Sequence, residues 1–255
     1  MKIHFTDKQL AILATFTAIL IGGGVGPLTK IALHNISVFE FTFLRFFFGT
    51  LVLLPFFLKN KPKLHKDFYK VILFSLFLSF NVLVFPLGVK LTTATISQML
   101  YVFVPIMVAI ISYFLATEIF TVRKIIGVFV GFCGALIIII LPTISNGIPF
   151  TGNLTGNLII FAGVIAVAAY TTFSKKFQQH YTPFQINAIF IFATCVLSFF
   201  FACGEFFLSP SSWQQITLTS WIATAYVGVL GTALWYLLYQ YIIKHSSPLI
   251  ASLIL

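Results

Sequence analysis

Long uninterrupted apolar runs constrain this sequence more than any other feature. Eight of them follow one another, each of roughly 20 residues, which as a helix spans the hydrocarbon core of a bilayer, about 30 Å thick. Helices are favoured over the strands of a membrane barrel, because barrel strands alternate apolar and polar residues and these runs do not. We therefore expect an all-α fold, a polytopic integral membrane helix bundle. The runs are residues 10–33, 38–58, 69–88, 94–115, 125–141, 154–173, 184–207 and 221–243.

The composition excludes a soluble protein. Hydrophobic residues make up 60% of the 255 residues and charged residues only 8%, with a mean hydropathy of +1.07, whereas about a quarter of the residues of a soluble domain are charged. The net charge of +10 would suit a nucleic-acid partner if the basic residues shared one face. They lie instead at the ends of the apolar runs. We read them as topology signals and expect no nucleic-acid partner.

The basic residues fall mainly on one side of the predicted membrane. Assigning the connections alternately to two sides places twelve basic residues on one side and Lys30 and Lys90 on the other, while Arg45 lies inside the second run. The side richer in lysine and arginine is the cytoplasmic one. This predicts a multi-pass protein of the cell (inner) membrane with a cytoplasmic N-terminus and residues 142–153 outside. The twelve are Lys2, Lys8, Lys59, Lys61, Lys63, Lys66, Lys70, Arg123, Lys124, Lys175, Lys176 and Lys244.

The chain also carries a weak internal duplication. Aligning Lys30 with Lys175 brings Phe39 onto Phe184. Five predicted spans separate the matched positions, and an odd number of spans inverts the second copy across the membrane. Inverted repeats are the usual scaffold of secondary transporters, with the substrate site where the repeats meet.

Five segments carry a family resemblance, and their order and spacing are more specific than any one of them. They are KIALHNISVFEFTFLR at 30–45, TTATISQMLYVFVP at 92–105, GVFVGFCGAL from 127, GVLGTALWYLLYQY from 228 and SSPLIASLIL from 246, with Glu118 after the fourth run. Together they resemble the EamA-type family of the drug/metabolite transporter superfamily over essentially the whole chain.

The resemblance implies two inverted five-helix repeats around a central cavity, residues 1–141 and 154–255, joined by an external connection at 142–153. It also implies transport of amino acids or other small metabolites. The chain departs from the family pattern at residues 248–255, which cover only about 12 Å as a helix. The ninth helix is then truncated and the tenth absent. We expect the natural gene to encode a longer product, and the 255-residue form alone to be unstable and inactive in transport.

Charge near or inside a predicted span is the sharpest local signal. A buried cation is costly unless it faces protein, water or the interface, and Arg45 lies about 10 Å of helical rise into the second run. Two interpretations stay open for Arg45: a structural role, at the interface or paired with Glu40, and a role on the substrate path. Lys30 and Glu40 are placed nearer the surface as outer-gate or coupling candidates.

Polar residues in the third, fourth and sixth runs are further substrate-path candidates. Asn81, Gln98 and Tyr101 can donate and accept hydrogen bonds without a formal charge, which suits zwitterionic or neutral polar solutes, and Tyr170 is added to them. Pro105 is predicted to lie in mid-helix, where a proline removes one backbone hydrogen bond, bends the helix and exposes a carbonyl. The alternative for the polar side chains is interhelical hydrogen bonding without a role in transport.

An aromatic cluster occupies the eighth run. Thr232, Trp235 and Tyr239 share one helical face by their spacing, and Trp235 is deep enough to wall a cavity or to bind a cationic group through its ring face. The other interpretation is an interfacial aromatic belt.

These features favour a secondary transporter of small polar metabolites that works by alternating access. The sequence has no H-E-x-x-H or G-x-S-x-G motif and no paired acidic motif, which disfavours an enzyme. A polytopic membrane enzyme or a lipid-handling scaffold remains the alternative. We expect no cofactor and no metal site, a small-molecule substrate and the lipid bilayer as partners, and leave a homodimer open.

Overall fold

A computed structural model describes residues 7–62, 65–92, 94–115, 121–123, 125–130, 132–133, 153–208 and 216–255. Within these ranges all regular secondary structure is helical, as the sequence predicts. The elements are α1 (Asp7–Ala32), α2 (Val38–Lys59), α3 (Phe68–Leu91), α4 (Ala94–Tyr101), α5 (Val104–Phe114), α6 (Leu154–Phe177), α7 (Pro183–Leu208), α8 (Leu218–Gly228), a π-helical segment (Val229–Leu234), α9 (Trp235–His245) and α10 (Pro248–Ser252).

Six helical stretches are long and apolar enough to cross a membrane. Their outward faces carry large apolar side chains, such as Leu20 and Phe207, which are 79% and 81% exposed. So much exposed apolar surface is stable against lipid and not against water. The chain is therefore a multi-pass membrane protein. The six stretches are Gln9–Ala32, Val38–Lys59, Phe68–Val89, Leu154–Phe177, Pro183–Phe207 and Leu218–His245.

The fourth predicted span is divided, and this corrects the sequence interpretation of Pro105. Helix α4 ends at Tyr101 and α5 begins at Val104, so Pro105 occupies the first turn of α5 and not the middle of a continuous helix. A first-turn proline needs no partner for its missing N–H. Pro105 therefore accompanies a break between two helices and not a bend within one helix.

Other predictions fall on parts of the chain that lie outside the described residues. Of the fifth run, only residues 125–130 and 132–133 are described, and the connection at 142–152 and Glu118 are outside. The side chains of Lys90 and Gln98 are outside as well. The predictions for these positions stay predictions.

Polar side chains cap the starts of α6, α8 and α10. The side-chain oxygen of Asn153 accepts a hydrogen bond from the Thr155 N–H at 2.8 Å, and Thr217 accepts one from the Ser220 N–H at 3.2 Å. Ser247 likewise accepts from the Ile250 N–H at 3.2 Å. Each bond satisfies a backbone donor that a helix start leaves without a partner.

Helices α2 and α7 pack side by side and run in opposite directions. At one end, the Ser37 hydroxyl donates to Glu205 Oε2 at 2.6 Å, and the Phe39 N–H donates to the same oxygen at 2.9 Å. At the other end, Gln185 Nε2 donates to the Asn60 carbonyl at 3.1 Å. Hydrogen bonds thus join the two helices at both ends of the bundle.

The remaining long helices pack around this central pair, and the two halves of the chain make equivalent contacts. Helix α3 packs along α6, and α1 packs along α8 and α9. If the chain up to α5 and the chain from α6 onwards are treated as equivalent halves, α1 corresponds to α6, and α3 corresponds to α8 and α9. The α3–α6 contact then corresponds to the contact of α1 with α8 and α9, and the α2–α7 contact corresponds to itself. Two related halves would produce this pattern of contacts.

Candidate functional site

A cavity of about 610 Å³ lies between α1, α2, the π-helical segment and α9. Arg45 is the one charged side chain among the described residues that line it. The Trp235 and Tyr236 rings form the aromatic part of the wall. Three glycines also line the cavity, and the remaining residues are aliphatic. The full lining is Ala18, Ile19, Gly22, Gly23, Val25, Arg45, Gly231, Trp235, Tyr236, Leu253, Ile254 and Leu255.

The Arg45 guanidinium is held by contacts that leave hydrogen-bonding capacity unused. Its Cζ lies 4.9 Å from the centre of the Phe46 ring, a cation–π distance. Its Nε is buried and has no hydrogen-bond partner within the described chain. Arg45 as a whole is partly buried, and a cation with a buried, unused donor is costly in a membrane protein. The arrangement suits an anionic group brought in by a ligand.

Trp235 and Tyr239 stack, as their spacing of four residues predicts. The ring centres are 5.4 Å apart and the planes differ by 11°. The Tyr239 hydroxyl shares a hydrogen bond of 2.7 Å with the Thr171 hydroxyl on α6, which fixes the Tyr239 ring of the stack. Trp235 is therefore a cavity wall with a fixed backing, whereas Tyr239 is buried behind it.

Gly22 makes room for the Trp235 indole. A Cβ atom built on Gly22 would lie 3.2 Å from Trp235 Nε1, closer than most carbon contacts in proteins. The glycine-rich stretch of α1 thus lets the indole approach the α1 backbone. On the other side of the ring, Trp235 meets Tyr236 at 5.1 Å in an edge-to-face contact.

The π-helical segment interrupts the eighth predicted span beside the cavity. A π-helical turn shifts the backbone hydrogen bonds from the α pattern, and such turns occur often at functional sites. Asn187 Nδ2 on α7 donates to the Ala233 carbonyl in this segment at 3.1 Å. Asn187 Oδ1 and the Thr232 hydroxyl oxygen are both buried without a hydrogen-bond partner in the described chain. Thr232 is therefore near the cavity wall, although it does not line the cavity.

Close backbone packing fixes the position of Arg45. A Cβ on Gly228, the last residue of α8, would lie 2.6 Å from the Arg45 carbonyl oxygen. A Cβ on Gly49, one turn further along α2, would lie 3.3 Å from the Gly228 carbonyl oxygen. Only glycine at these positions lets α2 approach the end of α8 this closely.

Asn81 and Tyr101 form a separate polar pair, away from the cavity lining. Asn81 Nδ2 donates to the Tyr101 hydroxyl at 2.6 Å, and that hydroxyl lies 3.0 Å from Asn81 Oδ1. The pair joins α3 to the end of α4. This geometry favours the interhelical alternative over direct contact with a solute.

Tyr170 belongs to a third polar group, between α6 and α9. Gln240 Nε2 donates to the Tyr170 hydroxyl at 2.8 Å and to Ser174 Oγ at 3.1 Å. Gln178 Nε2 donates in turn to Gln240 Oε1 at 2.8 Å. Tyr170 is connected to the cavity only indirectly, by ring contacts. The Phe190 ring centre lies 5.6 Å from that of Tyr170 and 4.8 Å from that of Tyr236, which lines the cavity.

The two outer-gate candidates differ in burial. Lys30 is exposed in the last turn of α1, as expected of a surface group. Glu40 is only 2% exposed, in the first turn of α2. It is near a helix end, as predicted, but it faces protein and not the interface.

Sequence reasoning missed two residues that shape the site. The sequence analysis does not select Tyr236, although this residue lines the cavity beside Arg45. The sequence analysis does not single out Asn187, although an amide within the first turns of an apolar run is a detectable signal. The sequence gives no indication of the π-helical turn that brings Asn187 and the Ala233 carbonyl together.

Comparisons with known proteins agree with a transporter. The family model described as the EamA-like transporter family matches residues 9–140 and residues 154–255. The chain is 29% identical to the uncharacterized transporter YetK of Bacillus subtilis (strain 168) over 248 residues, which cover 90% of this chain and 72% of that protein. It is 34% identical to an uncharacterized transporter of Archaeoglobus fulgidus over 134 residues, covering 52% of this chain and 40% of that protein.

A solved crystal structure shares the fold. It superposes with a TM-score of 0.70 over 95% of this chain and 85% of that one, at 20% sequence identity. At this identity the similarity concerns the fold alone.

Proposed function

Because this chain belongs to the EamA-like transporter family and is a membrane transporter, we propose that it is a secondary transporter of small polar metabolites such as amino acids or related compounds. Transport proceeds by alternating access of two inverted repeats, residues 1–141 and 154–255. The cavity around Arg45 carries this proposal, since it combines one partly buried cation with an aromatic wall.

The chemistry of the lining suggests how such a solute binds. The Arg45 guanidinium forms hydrogen bonds to a carboxylate, and its unused Nε supplies one of them. The Trp235 and Tyr236 rings cover the remainder of the solute and can accept a cationic amino group over a ring face. Arg45 is thus the anchor, and the rings select size and shape.

The contacts between the halves support alternating access. The α3–α6 and α1–α9 contacts bring the first half of the chain against the second half on both sides of α2 and α7. The cavity has walls from both halves, since Gly22 and Arg45 come from the first and Gly231 and Trp235 from the second. Rocking one half against the other would change access to a site placed in this way.

The orientation is part of the proposal. Lys59, Lys61 and Lys66 lie at the end of α2 that Gln185 joins to α7, and Lys175 and Lys176 lie in the last turn of α6. The excess of basic residues at this end supports a cytoplasmic location, with the N-terminus on the same side of the inner membrane.

A thermal-shift screen tests the binding chemistry. Protein purified from the complete open reading frame is mixed with amino acids, nucleosides and amines, and its melting temperature is measured. We expect stabilisation by solutes that carry a carboxylate, because a ligand bound to the folded state raises its stability. Arg45→Gln should lose this stabilisation, and Arg123→Gln, which replaces an exposed arginine, should keep it. Equal stabilisation of both variants would remove Arg45 from the binding site.

A further inference from the structure

A second cluster lies at the lysine-rich end of the bundle, apart from the cavity. His65 and Asp67 belong to the connection between α2 and α3, and His180 belongs to the connection between α6 and α7. Each of the three offers one ligand atom, and these atoms all lie within 4.8 Å of one another. The cluster therefore brings together side chains from the two halves of the chain.

Contacts around the cluster hold the two connections against each other. The His65 and His180 rings stack with centres 4.0 Å apart and planes 15° from parallel. The His65 backbone N–H also donates to the Tyr181 hydroxyl at 3.3 Å. Both imidazoles are exposed, so their nitrogens are accessible to an ion from solution.

The two oxygens of Asp67 have different surroundings. Oδ1 accepts a hydrogen bond from Lys70 Nζ at 2.6 Å, whereas Oδ2 is the oxygen that faces His65 Nδ1, at 3.9 Å. The hydrogen bond from Lys70 also holds the pKa of the Asp67 carboxyl below its usual value. Lys70 thus orients the carboxylate and leaves one oxygen directed at the imidazoles.

Two imidazoles and one carboxylate are a ligand set of late first-row divalent metals. Two ligand atoms about 2.1 Å from a tetrahedral Zn²⁺ are roughly 3.4 Å apart. Both imidazoles are exposed, so rotation of these two side chains out of their stack can bring the ligand atoms from the present separations of up to 4.8 Å to this spacing. Three protein ligands leave the fourth position of the metal to water.

We propose that His65, Asp67 and His180 bind a divalent transition-metal ion such as Zn²⁺, and that the ion bridges the two halves of the chain at this end. The sequence did not predict this site, because His180 is far from the other two ligands in the chain and the three match no metal-binding motif. The packing of α3 along α6 and of α2 along α7 brings the connections together.

The bridge has a consequence for movement. Alternating access requires the two halves to separate at each end in turn, and a metal ion bound across this end resists that separation. Zn²⁺ would then inhibit transport. This consequence rests on the proposed function, whereas metal binding itself does not.

Calorimetry with the purified protein tests the site without any transport assay. The protein is freed of its affinity tag and treated with a chelator, and ZnCl₂ is titrated into it. We expect one Zn²⁺ per chain, with affinity reduced about 100-fold or more by His65→Ala and, separately, by His180→Ala, since even residues behind the ligands account for 10–100-fold. Asp67→Asn should also weaken binding. His34→Ala, at an exposed histidine of the opposite end, should leave it unchanged.

Thermal melting separates loss of the site from loss of the fold. Without metal, the His65→Ala and His180→Ala proteins should melt close to the unchanged protein, because both side chains are exposed and each change removes only one ring contact at the surface. Added Zn²⁺ should raise the melting temperature of the unchanged protein and of neither variant. Absence of Zn²⁺ binding by the unchanged protein would overturn the site. Retained affinity in His180→Ala would overturn the bridge.

A flux assay tests the consequence separately. We expect Zn²⁺ to slow solute flux by the unchanged protein and to have no effect on the His180→Ala protein. Zn²⁺ that binds without slowing flux would overturn the mechanical consequence and leave the metal site in place.

Discussion

The side-chain amide of Asn81 on α3 lies against Gly163 on α6, in the space that a Cβ atom of residue 163 would occupy. The same amide is hydrogen-bonded to Tyr101. A glycine on one half of the chain therefore lets a polar pair of the other half approach its backbone. This contact lies on the long α3–α6 surface, where the two halves meet.

Gly163→Ala should destabilise the protein. In an open helical position this change stabilises by about 1 kcal/mol, but here the new Cβ displaces Asn81, and overpacking costs about 1–3 kcal/mol. We expect a net loss of up to about 2 kcal/mol, measured as unfolding in detergent. Gly204→Ala is the control, since a Cβ at Gly204 meets nothing within 4 Å. Equal stability of the two variants would contradict the close packing.

Gln240→Leu should also lower stability, through a different cause. The change removes the side-chain partner of Tyr170 and Ser174, while Gln178 Nε2 loses Gln240 Oε1 and keeps the Gln240 backbone carbonyl. Each interhelical hydrogen bond in a membrane protein contributes about 0.6 kcal/mol on average, and a buried group left without a partner costs about 1–3 kcal/mol. We expect a loss of about 1–3 kcal/mol. The matched change Gln179→Leu, at an exposed neighbour, should have little effect, and a similar loss there would indicate a general effect of the apolar side chain.

The sequence predicted the helical class and eight spans, six of which are long apolar helical stretches in the described chain, and it predicted the shared face of Trp235 and Tyr239. Apolar runs of membrane length admit few structures other than helices, and a spacing of four residues brought Trp235 onto Tyr239. Arg45 was identified because charge is rare within a span. These signals are local, so a single sequence contains them.

The other features depend on packing between distant segments. The break before Pro105 and the π-helical turn at Val229–Leu234 change hydrogen bonding without changing hydropathy. The approach of His65 to His180 requires the α3–α6 contact. None of these features has a period or motif in the sequence. Hydropathy does not mark their positions, because apolar residues of similar size lie on either side of them.

Glu40→Gln tests coupling to protons. Glu40 is the one buried carboxylate among the acidic side chains that the structure describes. If a proton gradient drives transport, Glu40 should carry the proton, and its replacement should abolish pH-driven accumulation while leaving exchange of solute intact. The control is Glu205→Gln, since Glu205 accepts hydrogen bonds at the start of α2 and an amide oxygen can replace that acceptor. Unchanged pH-driven accumulation in Glu40→Gln would remove Glu40 from the mechanism.

Cysteine labelling in intact cells tests the orientation. Cys133, Cys195 and Cys203 are first replaced by serine, and single cysteines are placed at His34 or Asn60, which are exposed at opposite ends of α2. A membrane-impermeant reagent should label the cysteine at 34, and one placed in residues 142–153, but not the cysteine at 60. Labelling at 60 from outside would reverse the proposed topology.

Uptake by proteoliposomes tests the central claim most directly. Protein from the complete open reading frame is reconstituted, and entry of labelled amino acids and related carboxylates is measured against concentration. We predict saturable uptake that Arg45→Gln abolishes and Arg123→Gln preserves, with both variants folded as judged by thermal melting. Uptake that does not saturate for any solute, or that persists unchanged in Arg45→Gln, would contradict a transporter whose substrate is anchored at Arg45.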